Sequence, residues 1–291
     1  MSTEPAIGTS VEIQVAHSPD ADDAFMFYAL ATRKVQAPGL KFVHTLSDIE
    51  TLNQKAQREN YDISAISMSA YPRVMDKYLL MDCGASFGDG YGPLVISSRP
   101  IPPQDLAGCR VAVPGPMTTS FLVLKLFAPD IETVTMPFDK ILGAVKENAV
   151  EAGLIIHEGQ LTYGQFGLHR VIDLGIWWQQ QTKLPLPLGG NVIRRSLSRE
   201  VALKATRAIR ASIAYALEHR EEALNYALQF ARDMDPELAD RFVGMYVNRW
   251  TISYGEVGRA AVRELLRRGA AAGLIPGPGP VEPEFLLEEG A

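Results

Sequence analysis

Arg110-Val111-Ala112-Val113-Pro114-Gly115-Pro116-Met117-Thr118-Thr119-Ser120-Phe121-Leu122-Val123-Leu124-Lys125-Leu126-Phe127 holds the repeating unit of this chain. The apolar run 110–113 reads as a buried strand. A turn punctuated by proline and glycine follows, and 118–127 reads as a helix with a hydroxyl-rich start. The same unit recurs in both directions. Val11, Ile13 and Val15 alternate with Glu12 and Gln14, so 11–16 reads as a strand, with a helix over 24–32. Strands over 40–46, 62–66, 79–83 and 94–97 come next, with helices over 48–59 and from residue 69. Further on, 134–136, 153–156, 169–173 and 191–195 read as strands and 139–148 as a helix.

Alternating strands and helices argue for an α/β fold of parallel strands under helical cover. Two stretches interrupt the alternation. Pro100, Pro102 and Pro103 form one, and Leu184-Pro185-Leu186-Pro187-Leu188-Gly189-Gly190 the other. Proline fixes φ and removes a donor, so both read as connections. The expected architecture is two α/β lobes with two crossings between them. Residues 1–97 and 191–291 form one lobe and 98–190 the other. Past Ser198 the pattern turns helical over 200–218, 221–232, 236–250 and 256–272. Leu203, Ile209, Ile213 and Leu217 recur at helical spacing and predict one buried face. The tail, with Pro276, Pro278, Pro280 and Pro283, reads as a surface strap or a disordered segment.

Composition narrows the class. The 291 residues suit about two domains. A hydrophobic fraction of 47% with 21% charged residues excludes a disordered or fibrous chain. The net charge of −6 argues against a nucleic-acid partner. Cys83 and Cys109 lie in apolar stretches and read as buried reduced thiols. There is no apolar run of about 18 residues, so no membrane partner is expected. The N-terminus shows no secretory pattern. With Met1 as the native start, a cytoplasmic location is expected.

In open α/β sheets ligands bind beyond the carboxyl ends of strands. Four strand ends here carry polar groups: His17 to Asp23, Ser67 to Ser69, Gly115 to Ser120, and His157-Glu158. Gly115 with Thr118 and Thr119 resembles an anion cradle at a helix start, with plain N-capping by a threonine as the alternative. His157 directly follows Leu154-Ile155-Ile156, and its ordinary pKa near 6.5 suits proton transfer, so it is the candidate catalytic base. On an extended chain Glu158 would point the other way. His44, His169 and His219 read as structural. Asp20, Asp22 and Asp23 open a helix, where acids complement the macrodipole, and no metal is expected there. Trp177 and Trp178 read as core and rim packing. No Gly-x-Gly-x-x-Gly after a strand, Walker loop or Gly-x-Ser-x-Gly elbow occurs, so no cofactor is expected. The candidate substrate-binding set is Ser18, Asp22, Asp23, Ser67, Ser69, Gly115, Thr118, Thr119 and Asn191, facing a small-molecule carboxylate. The C-terminal helices could support a homodimer, although packing within a lobe explains the same apolar faces.

Several segments together resemble the MqnA/MqnD family. They are Glu151-Ala152-Gly153-Leu154-Ile155-Ile156-His157-Glu158, Leu161-Thr162-Tyr163, Leu184-Pro185-Leu186-Pro187-Leu188-Gly189, Val111-Ala112-Val113-Pro114-Gly115 with Thr118-Thr119, and Gly92-Pro93-Leu94-Val95. The resemblance runs from about Val11 to Leu274. It implies a two-lobed, periplasmic-binding-protein-like (type II) fold with the site in the inter-lobe cleft. It also implies a lyase of the futalosine route to menaquinone, cleaving cyclic dehypoxanthinyl futalosine to 1,4-dihydroxy-6-naphthoate. In that resemblance His157 is the base, Thr118 and Thr119 hold an oxygen-rich part of the ligand, and Ser18, Asp22 and Asp23 line the opposite lobe. One loop departs. The family commonly has Ser-Pro-Cys-Pro-Asn-Asp-Thr-Phe where this chain has Ser18-Pro19-Asp20-Ala21-Asp22-Asp23-Ala24-Phe25. A carboxylate replaces an amide at Asp22, and Ala24 lacks a hydroxyl, which leaves room for an altered substrate. A solute-binding protein of the same fold and a chorismate dehydratase-like enzyme are the rival expectations.

Overall fold

The computed structural model describes residues 10–230, 235–276 and 281–288. Its strands in chain order are β1 (Val11–His17), β2 (Leu40–Leu46), β3 (Ile63–Ser67), β4 (Tyr78–Met81), β5 (Ser86–Gly88), β6 (Leu94–Ser97), β7 (Arg110–Val113), β8 (Glu132–Thr135), β9 (Ala152–Ile155), β10 (His169–Asp173), β11 (Leu186–Arg194) and β12 (Phe285–Leu286). They form two sheets. The first runs β12-β4-β11-β3-β1-β2, with β5 paired to β11. The second runs β10-β6-β9-β7-β8. Within each sheet the βα units give parallel pairs, β1 with β2 and β3, and β7 with β8 and β9. Parallel pairing aims the carboxyl ends of β1 and β3 one way, and likewise those of β7 and β9.

The sheets are mixed rather than purely parallel. Strand β6 lies antiparallel to β9, and β11 antiparallel to β3. Each is the first strand after the chain passes from one sheet to the other. The crossings also fall elsewhere than the proline runs suggest. Strand β6 belongs to the second sheet, so the chain passes over at 89–93, not beyond residue 97. The run Pro100 to Pro103 leads into a turn, Pro103–Gly108, inside the second lobe. On the return, β11 begins at Leu186, so 186–190 belongs to the first sheet. Pro187 is accommodated because the ladder to β5 slips its register between Pro187 and Gly189.

Four elements escape local periodicity. Strands β5 and β12 are three and two residues long. The helix Leu174–Thr182 has no clear apolar stripe, yet it buries Trp178 completely. The 236–250 stretch is two helices, Pro236–Tyr246 and Arg249–Ile252, separated by the extended Asn248 that caps the second. The tail straps the first sheet, with β12 parallel to β4. Residues 231 and 232 of the expected second helix, Pro278 and Pro280 lie outside the described residues.

The C-terminal helices pack on the first lobe. Ile209 and Ile213 join the core around Phe25, Phe27 and Ile63, while Leu203 and Leu217 sit at its edge. The Ser212 hydroxyl donates to the Met26 carbonyl at 2.8 Å, bonding Arg199–Glu218 to Ala21–Ala31. Cys83 and Cys109 are buried free thiols. No helix among the described residues is long and apolar enough to cross a membrane.

Gly175 is the tightest point of the first crossing. A Cβ there would overlap the Tyr91 carbonyl, and backbone cannot step aside as a side chain can. Gly175→Ala is expected to lower the unfolding free energy by about 1–3 kcal/mol, read from urea denaturation. An unchanged midpoint would show that the crossing tolerates displacement.

Candidate active site

The two rows of carboxyl strand ends face each other across a cavity. Its wall includes Ser18, Asp20, Asp22 and Asp23 after β1, Ser67 at the end of β3, Thr118 to Ser120 after β7, and His157 after β9. Leu188, Gly189, Gly190, Phe242 and Tyr246 close it on the first-lobe side. No lysine or arginine lines this wall among the described residues.

His157 is held from both lobes. Its Nδ1 lies 3.1 Å from Asp20 Oδ2. The Phe138 ring packs on the imidazole at 4.1 Å between centroids. Nδ1 therefore carries the proton toward Asp20 in the neutral ring, and Nε2 keeps a lone pair. Nε2 is buried and has no hydrogen-bond partner among the described residues. Burial disfavours the imidazolium, but the Asp20 carboxylate, with Glu158 and Asp22 beyond it, outweighs that, and the net pKa lies above 6.5.

Asp20 is the residue the sequence reading left out. It takes the N-cap position of the helix Ala21–Ala31, yet its side chain caps nothing. Instead it accepts the Ser18 hydroxyl at 2.9 Å and meets His157. A local reading assigns an aspartate there to the helix dipole, and the partner residue lies on the other lobe. Glu158 is also placed differently from expectation. The backbone at Glu158 is helical, with φ −50° and ψ −24°, so it does not alternate away from His157. Ligand-type atoms of Asp20, His157 and Glu158 come within 4.8 Å of one another, which crowds two acids around the imidazole.

Asp22 and Asp23 are forced toward their neutral forms. Burial pushes Asp23 up to about 6, against the Ser18 N–H that donates to it at 2.7 Å. Burial, then Asp23 and Asp20, drive Asp22 well above the carboxylate range. The helix dipole that explains acids in a first turn is weaker than these effects here.

Three expected ligand-binding residues do not reach the wall. Ser69 lies behind it, its hydroxyl donating to the Met117 carbonyl at 2.6 Å. Gly115 packs against the Glu50 side chain, which also accepts the Met117 N–H at 3.3 Å. Asn191 is buried one residue beyond the wall, with its Nδ2 against Gly84. Ser18, Asp22, Asp23, Ser67, Thr118 and Thr119 do line it. Of these, Thr118 acts as an N-cap, accepting the Phe121 N–H. The Thr119 hydroxyl donates to the Leu188 carbonyl at 2.6 Å. Ser67 is fixed by Asn53, whose amide donates to its hydroxyl at 3.0 Å. What remains for a ligand at the start of Thr119–Phe127 is backbone, since the first N–H groups of a helix lack intrahelical acceptors.

His17, His44 and His219 are structural by contact. His17 stacks on Phe27 at 4.3 Å and shares a 3.1 Å ring-to-ring hydrogen bond with His44. Burial lowers both to about 4. His219 stacks on Tyr215.

The family model described as menaquinone biosynthesis matches residues 13–271. A Streptomyces coelicolor protein named 1,4-dihydroxy-6-naphthoate synthase is 41% identical over 275 residues, covering 92% of this chain and 96% of its own. A crystal structure of an Archaeoglobus fulgidus protein is 50% identical with a TM-score of 0.87, covering 91% of this chain and 98% of that one. An alkanesulfonate-binding protein of Xanthomonas axonopodis superposes at a TM-score of 0.69 over 98% of this chain and 99% of its own. At 11% identity the two share the fold alone, a two-lobed periplasmic-binding-protein-like architecture.

Asp23 gives a stability prediction with a definite sign. Its pKa is about 6 in the folded chain against 3.8 ordinarily, so folding favours the protonated acid. Its effect on stability turns increasingly unfavourable as pH rises through that window, and the penalty persists above it. Asp23→Asn keeps an acceptor for the Ser18 N–H. It should raise the unfolding free energy by roughly 1–3 kcal/mol at about pH 8 and by little at about pH 4, measured by denaturant titration.

Proposed function

Because the chain belongs to the menaquinone biosynthesis family, we propose that it is a carbon–carbon lyase converting cyclic dehypoxanthinyl futalosine to 1,4-dihydroxy-6-naphthoate. The observation that carries this reading is the state of His157: Nδ1 held by a carboxylate, Nε2 unpartnered, and the residue on the wall of the inter-lobe cavity. That is the arrangement a general base needs.

The chemistry divides between the two walls. The ligand carboxylate faces the N–H groups of Thr119 and Ser120, where the helix end favours negative charge. The opposite wall presents Asp22, an acid held well above the carboxylate range that donates to a ligand oxygen, beside Asp23, which accepts the Ser18 N–H. His157 Nε2 takes the proton of a ligand hydroxyl. The electrons of that O–H bond form a carbonyl as the neighbouring carbon–carbon bond breaks. The pair from the broken bond passes to the ring carbon, which recovers a proton, and the ring becomes aromatic. Enclosure between the lobes keeps water from the charged intermediate. This reading places the protein in the cytoplasm, and recovery from the periplasm on cell fractionation would favour a solute-binding role.

The test is incubation with cyclic dehypoxanthinyl futalosine and mass detection of the naphthoate, with chorismate as the control substrate. His157→Asn should lower turnover at least about 100-fold while ligand binding persists. Product formed equally well by that variant would remove His157 from the mechanism, and turnover of chorismate alone would replace the substrate.

A further inference from the structure

We propose that Asp20 is the positioning residue for His157, reaching it across the cleft from the opposite lobe. The inference rests on the reading of His157 as the base. Asp20 belongs to the first lobe, fixed between β1 and the helix Ala21–Ala31. His157 belongs to the second lobe, directly beyond β9. Their 3.1 Å contact therefore spans the cavity.

Three features argue that the contact is more than incidental. First, the Asp20 side chain leaves the helix N–H groups that an N-cap aspartate ordinarily serves. Second, Ser18 fixes the carboxylate. Its hydroxyl donates to Asp20 Oδ2, and its oxygen accepts the Asp20 N–H at 3.2 Å. Third, the pair joins other cross-lobe bonds. Tyr246 donates to Gln160 at 2.9 Å, and Ser69 donates to the Met117 carbonyl at 2.6 Å. Opening the lobes would break the first-lobe contact and leave the imidazole with second-lobe neighbours only.

The consequence is a base on one lobe tuned by a carboxylate of the other. With Asp20 in place the imidazole is held in one tautomer, with the lone pair on Nε2, and its basicity rises because the adjacent charge favours the imidazolium. The charged and titratable groups facing His157 are Asp20, Asp22 and Asp23 from the first lobe and Glu158 from its own loop. Phe138, from the helix Phe138–Lys146, covers the ring, and Asp139 lies in the groove behind it. Asp20 is the group in hydrogen-bond contact, so its removal dominates any change.

The experiment compares the wild-type chain with Asp20→Asn, which keeps the size and an acceptor but removes the charge. The His157 imidazole of each protein is titrated by NMR. The expected result is a lower pKa in the variant. In turnover, kcat should fall at least about 10-fold with KM little changed, and the acid limb of the kcat/KM profile should move to lower pH. In the His157→Asn background, Asp20→Asn should have no further effect, because Asp20 acts only through the imidazole. Identical imidazole titrations in wild type and variant would overturn the proposal, as would an equal loss of kcat in both backgrounds. A shifted titration in a protein that does not turn over cyclic dehypoxanthinyl futalosine would leave the pair standing and reject the proposed substrate.

Discussion

The two sheets are joined by only two crossings, and the cavity depends on that constraint. Strands β1 and β3 end on one side of it, β7 and β9 on the other. Bonds across the gap include Asp20 to His157, Ser69 to Met117 and Thr119, Glu50 to Met117, Thr119 to Leu188 and Tyr246 to Gln160. A hydrogen bond of this kind contributes roughly 0.5–1.5 kcal/mol net, and somewhat more where a charge takes part. These polar terms add to the apolar packing that joins the lobes. One buried apolar cluster is shared by both lobes, running from Tyr71, Tyr78 and Phe87 of the first to Leu122, Leu154 and Trp178 of the second.

Electrostatics makes the two faces of that gap unlike. On the first-lobe face three aspartates crowd the first turn of one helix. The dipole there supports a negative charge by about 0.3–1 kcal/mol per group, which does not offset burial and mutual repulsion. Ser18 resolves part of the conflict, giving its N–H to Asp23 and its hydroxyl to Asp20. Asp20 has the imidazole as its counter-group. Asp22 and Asp23 have no comparable partner, and both are driven toward the protonated form.

Much of this was legible in the sequence because it is local. Strand period, helix starts and the apolar run before His157 are written within a few residues of one another, and the four polar strand ends follow from them. The elements that were not legible are defined by partners distant in the chain. Strand β12 exists because β4 offers an edge, and two residues carry no periodicity of their own. Pro187 reads as a break, yet a register slip against β5 admits it to a strand. The first crossing uses Gly92 and Gly175 in close approach rather than the more conspicuous prolines. Asp20 looked like a helix-opening acid, and only the meeting of two lobes gives it a different partner.

The departures in the first loop bear on how a ligand can lie. The first-lobe face presents Asp20, Asp22 and Asp23, and no lysine or arginine lines it among the described residues. An anionic group placed there would meet carboxylates and force further protonation. Across the gap, the start of Thr119–Phe127 offers backbone donors and the positive end of a helix, with the Thr118 and Thr119 hydroxyls engaged elsewhere. A ligand bearing one carboxylate and several hydroxyls therefore fits in a single orientation, with the carboxylate toward the second lobe and hydroxyls toward the acids. That orientation also sets the hydroxyls against the wall where Asp20 meets His157, so the loop that repels the wrong end of the ligand is the one that holds the base.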